Sequence, residues 1–256
     1  MQRLRGNVYL ADGAVQKGQL SGDGRHSQAV DEMSWHLIGL DPDGVAVSCL
    51  RYRQYENTVK FGRLAMSSSP IAQSREWGFQ TRLAVERDLA RARQLGVSFV
   101  ELGGWAIAPQ ARYTCEVLRM VLATYATWRI LGGGIGIGTV THRHQSASIV
   151  KRLGGQRLSL DGSAIPKYAD PEYGCEMELL RFSSEDLSGK FGPQVAAFED
   201  YLEHAPVILG NTLEQEERQL ASSADRYRET DVAALPVNHG FGQYLWNGAA
   251  ASSASV

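Results

Sequence analysis

A mixed α/β fold, a sheet with helices packed on it, is what the sequence predicts, on three observations. Residues 97–158 run strand, proline, long helix, glycine-rich strand, short helix, double glycine and strand, an alternation that builds a sheet covered by helices. Ahead of them, two β-rich runs flank Asp41-Pro42-Asp43-Gly44, where proline presets φ and glycine is free to take positive φ. The composition, 43% hydrophobic and 21% charged over 256 residues, suffices to bury a core.

The elements follow in order. Residues 1–30 are glycine-rich and weakly periodic, and Val8-Tyr9-Leu10 fits a short strand or the end of a helix equally. Ser34–Leu40 and Val45–Tyr52 are the arms of the hairpin, and residues 54–78 are irregular. A helix is expected from about Gln80 to Leu95, with Leu83, Leu89, Ala92 and Leu95 on one side, Arg82 and Glu86 paired at i,i+4, and Gly96 as its stop. Val97–Ala108 is a strand interrupted by Gly103-Gly104, the mark of a bulge or a close backbone approach. Pro109 ends it. A helix from about Gln110 to Leu131 then carries the apolar stripe Val117, Leu118, Val121, Leu122, Tyr125 and Trp128. Gly134–Thr141 is a buried strand whose one face carries only glycine. A helix over 145–153 closes on Gly154-Gly155, strands follow near 157–160 and 175–182, and a last helix near 193–203 carries Val195, Phe198 and Leu202. The expectation is one domain over 1–208 and a C-terminal extension, 209–256, whose polar and then Ala/Ser-rich composition predicts disorder.

Charge and composition exclude several classes. A net charge of −2 and a pI near 6.3 advertise neither nucleic acid nor an anionic membrane. No apolar run approaches the roughly 20 residues of a membrane span, and the basic start lacks the apolar stretch of a secretory signal. Cys49, Cys115 and Cys175 form no CxxC pair, which fits reduced thiols in a cytoplasmic protein. Gly134-x-Gly136 follows a helix and opens a strand, the reverse of a dinucleotide fingerprint. His142-x-His144 has no third ligand nearby in sequence, so no metal is expected.

Two features point to a thioester site. A helix beginning just after a strand at Gln110 would offer free N–H groups to a phosphate. The bare face around Gly136 would let a narrow, extended ligand lie on backbone.

Val100-Glu101-Leu102-Gly103-Gly104-Trp105-Ala106-Ile107-Ala108-Pro109-Gln110-Ala111-Arg112 resembles the fourth strand and following loop of the GNAT acyltransferase fold. It is most similar to the branch holding N-acyl amino acid synthases and acyl-homoserine lactone synthases. Asp31-x-x-Ser34-x-His36 with Arg51 looks like that branch's earlier motif, and Thr141 to Gly155 looks like the fifth-strand exit and the helix ending in Leu-Gly. The resemblance covers about residues 30–182. It implies a mostly antiparallel sheet splayed between its fourth and fifth strands, helices on both faces, and a pantetheine arm in the gap. Backbone near Trp105, Ala106 and Ile107 would then bond the arm, Arg112, Tyr113 and Thr114 would lie at its phosphate, and Glu101 would act as base. Arg51, His36 and His142 would face the acceptor, with His142 or His144 as a substitute base. The implied reaction is N-acylation of a primary amine, an amino acid or related small molecule, by acyl-CoA or acyl-phosphopantetheine on a carrier protein. The implied protein is a monomer or homodimer with no tightly bound cofactor.

The pattern also departs from the branch. Arg112–Glu116 lacks the glycines of a pyrophosphate loop, which favours a carrier-protein donor. Gly104 replaces an arginine, His26 and Gln28 replace acidic residues, and Val150 stands where a general-acid tyrosine is usual. A catalytically inactive thioester-binding or regulatory module is the alternative these losses suggest.

Overall fold

The computed structural model describes residues 1–184, 191–209 and 243–247. Residues 1–30 begin with a helix, α1 (Gln2–Ala11), so the ambiguous Val8-Tyr9-Leu10 is helical. Gly6 permits its docking, because a Cβ there would lie 2.2 Å from the Gly24 carbonyl oxygen. Val8 packs on Cys49 and Ala106.

The hairpin forms as the turn chemistry dictates, joining β1 (Trp35–Leu40) to β2 (Ala46–Tyr55). Asp41 Oδ1 accepts hydrogen bonds from the Asp43 and Val45 amides at 3.0 and 2.8 Å, and Gly44 takes φ 78°. Helix α2 (Gly78–Leu95) ends at left-handed Gly96, and Arg82 pairs with Glu86. Its buried face differs from the expected one. Thr81, Ala84, Val85, Asp88, Leu89 and Ala92 are buried, while Leu95 is exposed and Leu83 only half-buried. Alanines and Asp88, which meets Arg181 at 3.0 Å, supply the contact that an apolar count overlooks.

Strand β3 (Ser98–Ile107) carries the expected bulge. Arg51 pairs with Gly103 and Cys49 with Ala106, so Leu50 alone opposes Gly104 and Trp105, and Gly104 takes φ 59°. The next helix starts later than expected. Pro109–Ala111 is a single 3-10 turn, Tyr113 is left-handed at φ 62°, and α3 runs Glu116–Ile130. A left-handed residue cannot continue a right-handed helix, so residues 112–115 form a loop.

Strand β4 (Gly134–Thr141) follows α3 and leads to α4 (Ser146–Arg152). The short strands β5 (Gln156–Arg157), β6 (Ser159–Leu160), β7 (Ser163–Ala164) and β8 (Tyr168–Asp170) precede β9 (Cys175–Ser183). Helix α5 (Gly192–Glu203) packs on α3, and β10 (Val207–Leu209) and β11 (Gln243–Asn247) complete the order. The main sheet reads β10-β11-β1-β2-β3-β4-β9-β5, with β8 also on β9, while β6 and β7 pair separately. Among the described residues only β10–β11 and β3–β4 are parallel pairs, so this is a mixed, mostly antiparallel α/β sheet. Helices α3 and α5 cover one face around Val100, Trp128, Leu180 and Phe182, and α2 covers the other around Phe99, Ile135, Ile137 and Leu179. By alternation along β2, Leu50 and Tyr52 join the α3 side and Cys49 and Arg51 the α1–α2 side.

Of the extension expected to be disordered, residues 243–247 are a strand paired antiparallel with β1, and the remainder past Leu209 lies outside the described residues. No described helix is long and apolar enough to cross a membrane.

The glycine face of β4 is not bare in the fold. A Cβ at Gly136 would lie 2.7 Å from the Trp128 ring and 3.1 Å from the Val100 carbonyl oxygen. The indole of α3 fills the space a ligand was expected to take. Gly136→Ala should therefore overpack the core and cost about 1–3 kcal/mol. A thermal melt checks this, and an unchanged midpoint would mean that Trp128 can move aside freely.

Candidate active site

The parallel pairing of β3 and β4 runs from Ser98–Gly134 to Leu102–Gly138 and stops. β3 continues to Ile107 along β2, and β4 continues along β9 to the Thr141–Met177 pair. Past Gly103 and Thr139, the two strand edges therefore face each other across an opening. A cavity of about 1270 Å³ occupies it and reaches both faces of the sheet. On the α3 side its wall is apolar, including Leu118, Val121, Tyr125, Val150, Leu153 and Phe182. On the α1 side it is mixed, with Tyr9, Gln28, Arg51, Tyr168 and Tyr173 beside Met66, Ile137 and Met177.

Most of the residues singled out from the sequence reach this wall. Trp105, Ala106 and Ile107 line it from the bulged end of β3, and Arg112, Tyr113 and Thr114 from the loop beyond. Glu101, Arg51 and His142 line it as well. Gly136 and His36 are absent from it: Gly136 lies under Trp128, and His36 is 1% exposed with Nε2 3.1 Å from the Asp31 carbonyl oxygen. Buried there, His36 does not reach the wall where an acceptor was expected to meet it.

Glu101 is only 8% exposed, and its carboxylate is already engaged. It accepts from the Ala65 and Met66 amides at 2.7 and 2.8 Å and from the Tyr55 hydroxyl at 2.5 Å. These bonds pin residues 65–68, and Oε1, with a single partner, keeps one lone pair toward other groups. Trp105 Nε1 is buried with no hydrogen-bond partner among the described residues, a donor waiting for an acceptor.

Beneath the α1 side of the wall lies an ion-pair cluster. Arg5, fully buried, pairs with Asp31 and donates to the His26 carbonyl oxygen. Arg51 donates to Asp31 Oδ1 at 3.0 Å and to Gln28 Oε1. The Arg5 guanidinium lies 2.8 Å from where a Cβ on Gly104 would stand. Helix α1 thus brings a guanidinium beside the bulge of β3. Burial alone would raise the Asp31 carboxyl, but the hydrogen bond and charge of Arg5 hold it well below the usual carboxylate range. Burial drives the His36 imidazole the other way, down to about 4.

Glu116, at the start of α3, turns inward. It is 3% exposed, accepts from the Ser48 hydroxyl and abuts Gly39. Thr114, just before the helix, accepts from the Glu116 amide through Oγ1 at 3.1 Å. His142 lies between two carboxylates, Nε2 3.4 Å from Glu178 and Nδ1 4.0 Å from Glu176, and Lys151 also pairs with the buried Glu178. Among the described residues, no three His, Cys, Asp or Glu side chains converge to hold a metal ion.

Helix α1 supplies what the sequence did not reveal. The Tyr9 hydroxyl donates to the Trp105 carbonyl oxygen at 3.2 Å, and burial raises its phenol, which suits a donor rather than a base. Asp12 ends the same helix against Arg112. The weak periodicity of residues 1–30 gave no cue to either; Gly6, kept small by Gly24, was the one available signal.

Two measurements follow from these contacts. In Glu101→Gln an amide NH2 replaces one acceptor oxygen and must face a backbone N–H, so stability should fall by about 1–3 kcal/mol in denaturant unfolding. An unchanged midpoint would show the pinned segment to be dispensable. For His36 the native pKa of about 4 lies below the ordinary 6.5, so the unfolded chain takes up the proton first. Its contribution is complete above pH 6.5 and declines as pH falls toward 4, whereas that of Asp31 is lost only below the ordinary carboxylate value of about 4. His36→Gln, which retains a donor for the Asp31 carbonyl, should flatten the fall of Tm across the upper window; an unaltered slope would exclude His36 as its source.

No family model matches the chain, and no curated protein sequence matches it. Several solved structures are similar to it. FeeM, an N-acyl amino acid synthase from uncultured soil microbes, is 15% identical over 71% of this chain and 87% of its own, with a TM-score of 0.43. BjaI, a CoA-dependent acyl-homoserine lactone synthase with MTA, is 12% identical over 78% and 79%, with a TM-score of 0.49. An agmatine N-acetyltransferase is 20% identical over 55% of this chain and 72% of its own, with a TM-score of 0.36. At these identities the likeness is one of fold. In its own right, the mostly antiparallel sheet, bulged β3 and the parting of β3 from β4 between helix-covered faces give this chain a GNAT-like fold.

Proposed function

We propose that the protein is an N-acyltransferase that moves an acyl group from a pantetheine thioester to a primary amine of a small molecule. The observation that carries this reading is the opening between β3 and β4, lined by backbone on both edges and leading to a cavity of about 1270 Å³. A pantetheine arm is slender, extended and amide-rich, and pairs with free strand edges as an added strand would. Trp105 Nε1 offers it a further donor.

The reaction is a displacement at the thioester carbonyl. The amine nitrogen forms the C–N bond, a tetrahedral intermediate places charge on oxygen, and the C–S bond breaks to release thiolate. Backbone N–H groups at the bulge would hold that oxygen in a site largely removed from water. One proton leaves the ammonium before attack, to Glu101 through its remaining lone pair or a water. The proton shed by the nitrogen on collapse goes to the thiolate, whose low basicity compensates for Val150 in the tyrosine position. Arg51, steadied by Asp31 and Gln28, gives the α1 side a cation suited to an acceptor carboxylate. Holding amine and thioester in register contributes much of the acceleration.

The acyl chain belongs on the α3 side. The strands close again at Leu102–Gly138, so a chain threading the gap must turn to one face, and the α3 face is the more uniformly apolar of the two. The continuous apolar wall of Leu118, Val121, Leu153 and Phe182 favours a chain longer than acetyl. The engaged carboxylate of Glu101 favours a second reading, a thioester-binding module without turnover.

Thiol release from acetyl- and long-chain acyl-CoA and from acyl-carrier protein, with a panel of amines, separates the two. Release with at least one amine, falling at least tenfold in Glu101→Gln while donor binding holds, is the outcome expected of the enzyme. Binding without release would select the module. Leu118→Trp should lower kcat/KM for long-chain donors by about tenfold or more and spare acetyl donors. Equal losses with both would place the chain elsewhere.

A further inference from the structure

The mouth of the cleft is closed over by a carboxylate from an unexpected direction. Asp12, the residue capping the C-terminal end of α1, spans both loops that border the opening. Both its carboxylate oxygens accept from Arg112 Nη2, at 3.1 and 2.8 Å. His144 Nε2 lies 3.3 Å from Asp12 Oδ1 and 3.2 Å from Arg112 Nη1. Arg143 donates to the Asp12 carbonyl oxygen at 2.6 Å and to the Gly174 carbonyl oxygen at 3.1 Å. Arg112 belongs to the β3–α3 loop, and Arg143 and His144 to the β4–α4 loop, so one residue ties the two sides of the gap together.

Three physical points set this cluster apart from an ordinary surface ion pair. First, it is partly buried, with Arg112 and Asp12 side chains 17% and 18% exposed, and the carboxylate faces both the Arg112 guanidinium and the His144 imidazole while Arg143 holds the backbone carbonyl of the same residue. Second, a carboxylate at the C-terminal end of a helix opposes the helix dipole, so α1 gains nothing from Asp12 by itself. Third, the loops are held in unfavourable backbone. Tyr113, His144 and Gln145 have φ of 62, 51 and 58°, and only one other described non-glycine residue, Asp161, has positive φ. Such residues gather where loops are shaped for a ligand.

We infer that Arg112, Arg143 and His144 form a single-phosphate site at the cleft mouth, and that in the free protein the Asp12 carboxylate stands in for that phosphate. A phosphate ester matches what Asp12 provides, since it too presents paired anionic oxygens to a guanidinium. This rests on the thioester reading of the cleft and adds to it the site's second loop and its resident competitor. The phosphate is that of phosphopantetheine, carried either by coenzyme A or by a carrier protein. Its binding displaces Asp12, frees the end of α1 and unties the two loops. The donor therefore opens the cleft that it enters.

Titration calorimetry on the full chain and on Asp12→Asn, using pantetheine, 4′-phosphopantetheine, coenzyme A and a phosphopantetheinylated carrier protein, tests this. Asp12→Asn should tighten phosphopantetheine about three- to tenfold and leave pantetheine unchanged. Whether coenzyme A or the carrier protein gains as much identifies the phosphate's source. Equal or weaker phosphopantetheine binding, with pantetheine still bound, overturns the stand-in role and leaves the thioester cleft intact; tightening of pantetheine by the same factor does likewise. Failure of all four to bind either protein overturns both readings. A measurement needing no variant guards against misfolding of Asp12→Asn: phosphopantetheine, but not pantetheine, should speed amide hydrogen exchange over residues 8–15 of the unaltered chain. Unchanged or slower exchange there would also overturn the inference.

Discussion

Everything proposed for this chain depends on where β3 and β4 stop pairing. Parallel strands held together along their whole length would seal the sheet and leave no edge for a ligand. Here the ladder ends at Leu102–Gly138, and the cause is visible on the far side of β3. Gly104 and Trp105 share one partner, Leu50, which increases the local twist and turns the end of the strand away from β4. β4 meanwhile keeps its full antiparallel partner in β9, so the opening costs one ladder and leaves the other whole. The bulge needs positive φ at residue 104, and glycine supplies it.

The same bulge organises the α1 side of the cavity. With no side chain at 104, the guanidinium of Arg5 enters from α1, where it pairs with Asp31, which in turn orients Arg51. Tyr9 of that helix donates to the carbonyl oxygen of Trp105. Helix α1 is therefore bonded to the site at three levels: Arg5 beneath it, Tyr9 at the bulge and Asp12 at the mouth. A fully buried arginine in such a network is tolerated because both its charge and its donors are answered. Removing either partner would leave the other stranded.

The two faces of the gap divide the chemistry between them. The α3 face is apolar and continuous with the core, so a chain of methylenes can replace protein contacts without stranding a polar group. The α1 face carries arginine, tyrosine and glutamine already steadied by neighbours, which limits the reorganisation a polar acceptor would demand. Glu101 joins the site to residues 65–68 through backbone N–H groups, and any proton it takes must be weighed against those bonds.

Local chemistry was legible in the sequence wherever a residue acts on its own backbone. Asp41-Pro42-Asp43-Gly44 set the hairpin, Gly96 stopped a helix, and Gly103-Gly104 marked the bulge that shapes the cleft, each through φ preferences or side-chain bonds spanning a few residues. Candidates along that strand and its following loop accordingly reached the cavity wall. Tertiary structure decided what depends on neighbours distant in the chain. The alternating glycines of β4 promise open backbone in one dimension, yet Trp128 packs into them; His36 alternates correctly on its strand, yet it is buried with its ring against the 29–33 turn. Glu116 falls in a stretch expected to be helical from Gln110, but that α3 starts at Glu116 and that its carboxylate meets Ser48 follow from which way the loop before it turns. The role of α1 was invisible for the same reason, since a weakly patterned helix acquires its purpose only when Gly6 lets it press against the fold and its Arg5, Tyr9 and Asp12 meet partners 20 to 100 residues away. Backbone preference is written residue by residue, whereas burial and charge pairing belong to the assembled whole.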